Sequence, residues 1–408
     1  MLKPAFFFLW NAVAALAACL SLPGSLELLT LSIGSLLPRQ RFGVTIGPGR
    51  WRTAVLVPAH NEHATITQCL QALFGSQAAP AGIEVAIFVV ADNCTDDTAA
   101  LAALAGAQVL VRNDVQNRGK GYALHWAFTR LIEEGYDCML IVDADTVVDP
   151  NFIGLAADTM RRGAQAVQAR YLVRNTQETN RTRLMRLALR LFNVVRPLGR
   201  ANLGLSCGIN GNGFGLRSDT LIAVPYLATS IVEDLEYHLE LVRSGRRVTF
   251  LNDATVYAET PVQAVAVEGQ RSRWEGGRFR MLITQAPSLL RDVLSGKLRC
   301  IEPLFELLLL PLAYHFILVV VASSAPLPIV RYIGLAGLCA VLLHLVAGLI
   351  VGGGGWSDVA VLASIPYYLL WKLRMIPTLL RSARPDKQWV RTGRNAEQAA
   401  KASSRKTE

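Results

Sequence analysis

Two aspartates one residue apart, Asp143-Ala144-Asp145, directly follow the apolar run Met139-Leu140-Ile141-Val142. Carboxylates so placed at the end of a buried strand can both face a divalent cation. Mg2+ and Mn2+ prefer oxygen ligands and bind through one or two carboxylates together with substrate phosphates. The competing reading is a polar turn in which Asp149-Pro150 caps the next helix; it accounts for Asp149 but not for the two acids before it. Asp92 stands in a like position after Val89-Val90-Ala91. There it can accept a hydrogen bond from a base N–H, or serve as a turn residue with Thr95 capping the following helix. Arg118-Gly119-Lys120-Gly121 opens a helix. Its glycines permit close backbone approach, and a cation beside helix-start amides suits phosphate; a solvated loop is the plainer alternative. Ser230-Ile231-Val232-Glu233-Asp234 reads either as a capping box of Ser230 with Glu233, Asp234 complementing the helix dipole, or as a helix start that presents a catalytic carboxylate. In Gln270-Arg271-Ser272-Arg273-Trp274, the Trp274 ring offers an apolar face to a sugar and Arg273 a two-pronged donor to a diphosphate. An amphipathic surface helix explains the same string without a ligand.

These residues need a scaffold, and the chain from 53 to 142 supplies a repeating one. Strands are expected at Thr53–Val57, Ile83–Val90, Gln108–Val111 and Met139–Val142, with helices over 63–74, 95–104 and 121–134 between them. Ile83–Val90 is apolar apart from Glu84 near its start, as expected of a strand buried on both faces of a parallel sheet. The alternation predicts a doubly wound α/β sheet, in which ligands bind outside the carboxyl ends of the strands. Pro58-Ala59-His60-Asn61-Glu62, Asp92 and Asp143-Ala144-Asp145 all fall at such ends. Neither GxGxxG after the first strand nor GxxxxGK[ST] occurs, so a dinucleotide fold and a P-loop lack support.

The composition shows what surrounds this domain. Of 408 residues 52% are hydrophobic and only 18% charged, against about 25% charged in a typical soluble protein. The excess sits in residues 5–37 and 303–371. A membrane-crossing helix needs roughly 20 apolar residues. Residues 5–37 are therefore expected to form one span with an irregular or interfacial continuation past Pro23-Gly24-Ser25. A cleaved signal peptide competes, including a lipoprotein-like box at Leu16-Ala17-Ala18-Cys19, but the apolar run continues to Leu37. Residues 303–325 and 329–352 are each long enough to cross, and 353–380 is expected to lie at the interface or re-enter. The organisation expected is a membrane segment at 1–39, a catalytic domain at 40–285, an interfacial segment at 286–302, two spans within 303–352, the 353–380 segment, and a basic tail at 381–408.

Net charge is +10, and the tail alone carries eight Lys and Arg against three acids. Positive charge beside a span marks the cytoplasmic side, which puts tail and catalytic domain inside an inner-membrane protein and requires an even number of C-terminal crossings. This placement argues against nucleic acid as a partner. Arg181, Arg183, Arg186, Arg190, Arg196 and Arg200 alternate with Leu and Val over 181–200. That pattern reads as a helix on anionic lipid, docking the domain with 286–300, or equally as a surface helix packed on the domain. Seven scattered cysteines without a CxxC pair support neither zinc nor a disulfide frame.

In this order, the strings resemble a membrane-bound family 2 glycosyltransferase with a GT-A-type domain, of the cellulose-synthase, hyaluronan-synthase and poly-N-acetylglucosamine-synthase branch. Gln270-Arg271-Ser272-Arg273-Trp274 is similar to the branch's Q-x-x-R-W signature, Asp143-Ala144-Asp145 to D-x-D, and Val232-Glu233-Asp234 to T-E-D with Val in place of Thr. Asn210-Gly211-Asn212-Gly213-Phe214 occupies the place of a glycine-containing segment near the acceptor. The resemblance implies that Asp92 contacts the nucleotide base while Pro58, His60, Asn61 and Glu62 line its pocket. It implies that Lys120 and Arg273 meet the diphosphate, that Asp143 and Asp145 hold Mg2+ or Mn2+, and that Asp234, beside Glu233, is the general base. Gln270, Trp274, Gly211 and Asn212 would shape the acceptor site. The implied activity is inverting transfer from a nucleotide-sugar, a UDP-sugar being expected, to a growing polysaccharide, with an export or polymerisation partner or a homo-oligomer completing any channel. Transfer of a single sugar to a lipid-linked acceptor, and a non-catalytic membrane scaffold or transporter, are the alternatives.

Overall fold

The computed structural model describes residues 2–38, 49–76, 80–174, 180–228, 230–258, 264–353 and 355–382. The basic tail beyond Ser382 lies outside the described residues. The chain forms two compact units, one from residues 41–177 and 206–274, the other from 1–40, 178–205 and 275–385.

The first unit is built on eight strands: β1 (Trp51–Ala59), β2 (Ile83–Asp92), β3 (Gln108–Arg112), β4 (Cys138–Ile141), β5 (Thr146–Val148), β6 (Ala166–Val173), β7 (Phe214–Arg217) and β8 (Val248–Ala258). Their order across the sheet is β3-β2-β1-β4-β7-β6-β8-β5. β1, β2, β3 and β4 run parallel, with Val55 opposite Ile87 and Leu140. β7 is antiparallel to both β4 and β6, and β5 to β8, while β6 and β8 run parallel. The sheet is thus mostly parallel but mixed. Val55, Val57, Val89 and Leu140 project into a core closed by Leu70 and Leu73 of the Ile66–Gly75 helix and by Phe152 and Ile153 of the Phe152–Arg161 helix. Burial over Ala54–Val57, Ile87–Val90 and Cys138–Ile141 explains why these stretches read as apolar runs.

The second unit is helical. Leu2–Leu36 is one 35-residue helix that passes through Pro23 without stopping, so the irregular continuation expected there is not present. One lost N–H is tolerated in an apolar helix packed against neighbours, and Gly24 leaves room for Leu309 and His315, which a Cβ would meet at 2.7 and 3.0 Å. Among the described residues three helical stretches are long and apolar enough to cross a membrane: Phe7–Leu36, Pro328–Ile350 and Asp358–Pro377. The stretch expected as a single span over 303–325 is instead a pair of helices, Leu298–Leu308 and Leu312–Ser323, bent by 83°. Pro311 cannot donate into the preceding turn and biases the backbone before it away from helix. Asp358–Pro377, expected to lie at the interface or re-enter, is by length and composition apolar enough to cross. The Ala264–Leu294 helix runs through Pro287, so no break separates 285 from 286.

The arginine-rich segment departs most from expectation. It forms Asn180–Arg190, a π-helical turn Leu191–Val195, and Arg196–Asn202. Arg190, Arg196 and Arg200 are buried. Arg190 pairs with Asp358 at 2.8 Å, and Arg200 pairs with Glu27 at 3.2 Å and with Glu302 and Glu306. Arg190 and Arg200 thus find counter-charges among the unit's own carboxylates. Gly199 permits this: its Cβ would lie 2.2 Å from the Leu31 carbonyl oxygen.

Candidate active site

The carboxyl ends of β1, β2 and β4 share one edge of the sheet, and the polar strings predicted there gather in two clusters. In the first, Pro58 lies in β1 opposite Val90. His60 Nδ1 sits 2.8 Å from the Asp92 carbonyl oxygen. Asn61 bridges to Thr95, accepting from its backbone N–H at 2.8 Å and donating to its hydroxyl at 3.1 Å. Thr95 is thus a partner of the Asn61 loop rather than the helix cap, and Asp96 receives the Thr98 N–H at 3.0 Å. Glu62 is buried and its N–H donates to the Thr98 hydroxyl at 2.8 Å. Asn61 and Asn93 hold φ of 56° and 51°, the two non-glycine residues with positive φ among the described residues. Asparagine tolerates this left-handed region better than most residues, and such conformations concentrate at functional turns.

Asp92 ends β2 and stands opposite Arg112 of β3. The two form a buried ion pair at 2.6 Å, and Asn93 donates to the same Asp92 oxygen, Oδ1, at 3.0 Å. Arg112 also reaches Asp114 at 2.9 Å and the Asn117 carbonyl at 2.9 Å. Sequence reading missed Arg112, whose signal is a cation directly after the apolar run Val109-Leu110-Val111.

The second cluster centres on Lys120, the first residue of the Lys120–Glu133 helix. Its ammonium donates to Asp143 Oδ1 and to the Gly211 carbonyl oxygen. Burial disfavours this charge, yet the carboxylates of Asp143, Glu233 and Asp234 together hold the Lys120 pKa above the usual lysine value. Asn212 accepts the Asp143 N–H at 3.1 Å and donates to the Thr146 hydroxyl at 2.8 Å. The Gln168 amide fixes this loop from beneath, donating to the Asn212 carbonyl at 2.8 Å and accepting the Asn210 N–H at 2.9 Å. Sequence reading missed Gln168, although a buried amide inside an apolar strand is a usable signal. Gly211 has φ +72°, and a Cβ there would lie 3.1 Å from Asp234 Oδ2. Asp145 is half-buried, with the Thr146 hydroxyl 3.4 Å from its Oδ1. Asp149 does not cap the following helix through its side chain; Asn151 holds the cap position, and Asp149 accepts the Thr255 N–H at 2.9 Å.

Glu233 and Asp234 begin the Glu233–Arg243 helix. The expected capping box is not made: Val232 is the cap residue and the Ser230 N–H donates instead to Glu236 at 3.2 Å. Burial, then the Asp234 charge, pushes the Glu233 pKa up to about 8, against the pull of Lys120. Burial also raises Asp234, opposed by the Leu235 N–H that donates to its Oδ1 at 2.8 Å and by Lys120. Tyr226, edge-on to Phe128 at 5.5 Å and tilted on Tyr237 at 4.5 Å, is buried and feels both acids. Of two half-buried carboxylates beside one lysine, one can stay protonated while the other accepts a proton from a hydroxyl.

Gln270, Arg273 and Trp274 are carried by the Ala264–Leu294 helix rather than by the sheet. Spacings of three and four put them on one face. Trp274 is exposed, and Gln270 Oε1 is buried without a hydrogen-bond partner among the described residues.

A family model described as glycosyltransferase-like family 2 matches residues 48–277. A curated relative, "Probable glycosyltransferase YdaM" of Bacillus subtilis (strain 168), is 25% identical over 238 residues, 55% of this chain and 55% of that protein. The match thus spans about half of the relative's length. Among solved structures, the mannosyltransferase PcManGT from Pyrobaculum calidifontis, in complex with GDP-Man and Mn2+, is similar with a TM-score of 0.51 at 16% identity, covering 92% of this chain and 97% of that one. Glucosyl-3-phosphoglycerate synthase from Mycobacterium tuberculosis, in complex with Mn2+, UDP and phosphoglyceric acid, is 23% identical with a TM-score of 0.39, covering 57% of this chain and 84% of that one.

Proposed function

The chain belongs to glycosyltransferase-like family 2, with a GT-A-like, mostly parallel mixed sheet, and we propose that it moves a sugar with inversion from a UDP-sugar to a growing polysaccharide at the cytoplasmic face of the inner membrane. One observation carries this reading: Lys120 joins Asp143 to the Gly211 carbonyl, and Gly211 in turn abuts Asp234. A cation, a strand-end carboxylate, a glycine loop and a helix-start carboxylate thus converge where an acceptor hydroxyl and a diphosphate would have to meet.

In this scheme Asp92 offers Oδ2 to the nucleotide base, because Arg112 and Asn93 both take Oδ1. Pro58, His60, Asn61 and Glu62 form the wall beside it. A carboxylate oxygen of Asp234 accepts the proton of the acceptor hydroxyl. The hydroxyl oxygen attacks the anomeric carbon from the face opposite the leaving group, and the bond to the nucleoside diphosphate breaks with its electron pair on phosphate oxygen. Lys120 and Arg273 offset the charge that develops there, usually the largest electrostatic contribution in such sites. Gln270, Trp274, Gly211 and Asn212 orient the acceptor.

The donor set at Asp143 and Asp145 fits a hard divalent cation: two carboxylates at one strand end, both less than fully buried. These two residues would hold Mg2+ or Mn2+, which when bound neutralises diphosphate charge. The solved similar structures named above contain Mn2+.

Membranes containing the protein, incubated with radiolabelled UDP- and GDP-sugars and Mg2+ or Mn2+, should yield labelled polymer from a UDP-sugar. Label confined to organic-extractable lipid would replace the polysaccharide acceptor with a lipid one. Absence of product from every donor would overturn the reading.

A further inference from the structure

The helical unit contains a cavity of about 200 Å3, walled by Phe279 and Leu282 of the Ala264–Leu294 helix, Leu307 and Leu310 at the 83° bend, and Ile376. The two helices diverge at Leu309–Pro311, so side chains from one cannot fill the space beside the other. The wall is almost wholly apolar, whereas a water held inside a protein needs two to four polar partners. It also exceeds the ~150 Å3 apolar cavity that suffices to bind benzene. Arg278 also lines the cavity, and both of its hydrogen bonds, to the Glu306 carbonyl and carboxylate, leave from Nη2. Its Nε and Nη1 have no hydrogen-bond partner among the described residues, and the guanidinium lies 5.4 Å from the Phe192 ring centre. Glu275, one helical turn before Arg278, also lines the cavity and is paired with the buried Lys372, whose ammonium lies 5.5–5.9 Å from the Tyr314, Tyr368 and Trp371 rings.

We propose that this cavity is a lipid site that takes one hydrocarbon chain, with a phosphate headgroup at Arg278. An apolar slot whose lining includes a guanidinium with spare donors matches the chemistry of a chain attached to phosphate, since guanidinium–phosphate hydrogen bonds are charge-assisted and directional. The site rests on the reading that these helices lie in a membrane. Two sources carry this chemistry, a bilayer phospholipid and a polyisoprenyl phosphate.

The full chain is first tested for membrane residence: it should leave the membrane fraction only with detergent, and release without detergent would sink the membrane reading separately. The purified protein is then examined by native mass spectrometry with phosphatidylglycerol and, in a separate arm, with a polyisoprenyl phosphate. One lipid should be retained in at least one arm, and the arm that retains it names the source. Leu282→Trp and Leu310→Trp, which fill the slot, should lower retention at least tenfold while nucleotide binding stays unchanged. As a check free of mutation, a phosphate-headed lipid of the retained class with a diazirine in its chain should label the peptides containing Phe279 or Leu310. Retention in neither arm, or labelling only elsewhere, overturns the proposal.

Discussion

The Glu233–Asp234 pair should separate a neutral carboxylic acid from a working base. With its pKa pushed up to about 8 by burial and by Asp234, Glu233 is about nine-tenths protonated at pH 7. Glu233→Gln therefore replaces one neutral group by another of similar shape, and transfer at pH 7 should fall by less than about tenfold. Asp234→Asn removes the proton acceptor itself. A positioned general base contributes on the order of 10²–10⁴-fold, so about 3–5 kcal/mol of transition-state stabilisation should vanish, with donor affinity within about twofold of wild type. The pair also predicts a stability slope. A carboxyl whose folded pKa lies above its unfolded value of 4.5 contributes most below the unfolded pKa. That contribution is lost as pH rises toward 8, because the folded unit must then hold a second charge beside Asp234 in a half-buried site. Thermal unfolding from pH 5 to 9 should show a falling midpoint in wild type and a flatter line in Glu233→Gln. Transfer is measured with the radiolabelled donor that gives product, and donor affinity by calorimetric titration. Equal loss in both variants, or loss of donor binding in Asp234→Asn, would refute the assignment of roles.

Other perturbations test the surrounding parts. Lys120→Met removes the cation shared by Asp143 and Gly211, so donor affinity should drop at least tenfold; unchanged titration would place the diphosphate elsewhere. Chelation with EDTA should bring transfer to background and added Mn2+ or Mg2+ should restore it; EDTA-resistant turnover would remove the metal from the scheme. Gly199→Ala drives a Cβ to within 2.2 Å of the Leu31 carbonyl. It should destabilise the helical unit by about 1–3 kcal/mol, as overpacking does, read as a lower unfolding midpoint in detergent. Arg200→Met leaves Glu27, Glu302 and Glu306 without their shared cation and should cost about 3–5 kcal/mol by the same measurement.

The first half of the sheet is legible because β1, β2 and β4 carry apolar runs buried over most of their length, and a helix separates each of β1, β2 and β3 from the next strand. Ile83–Val90 announces β2 almost to the residue, and the acids after β2 and β4 stand out against such runs. The second half is not. β5 has three residues, β7 four, and the β6–β8 pairing shifts register between Ala169 and Arg170; short antiparallel insertions carry little periodicity. The site divides in the same way. Asp143, Lys120 and Asp234 could each be chosen from local spacing, but their meeting could not. The Lys120 ammonium reaches Asp143 across 23 positions and Gly211 across 91, and only the parallel sheet brings those positions together.

The arginines of 181–200 show that a local pattern alone does not name its partner: Arg190 and Arg200 meet carboxylates of the same chain. A basic amphipathic stripe specifies a helix that needs anions on one side. It does not say whether they are lipid phosphates or carboxylates of the same chain. Glu27 lies 173 residues from Arg200, and Glu302 and Glu306 lie 102 and 106 residues away on the other side. In the sequence each is an isolated charge: Glu27 interrupts an apolar run, and Glu302 and Glu306 flank the start of another. An ionisable residue in so apolar a segment is costly unless paired, and three such acids are themselves a demand for cations. Taken together, the orphan acids and the surplus arginines predict each other. That gives a rule usable on sequence alone: before a basic helix is assigned to lipid, the unpaired acids of the apolar segments should be counted against it.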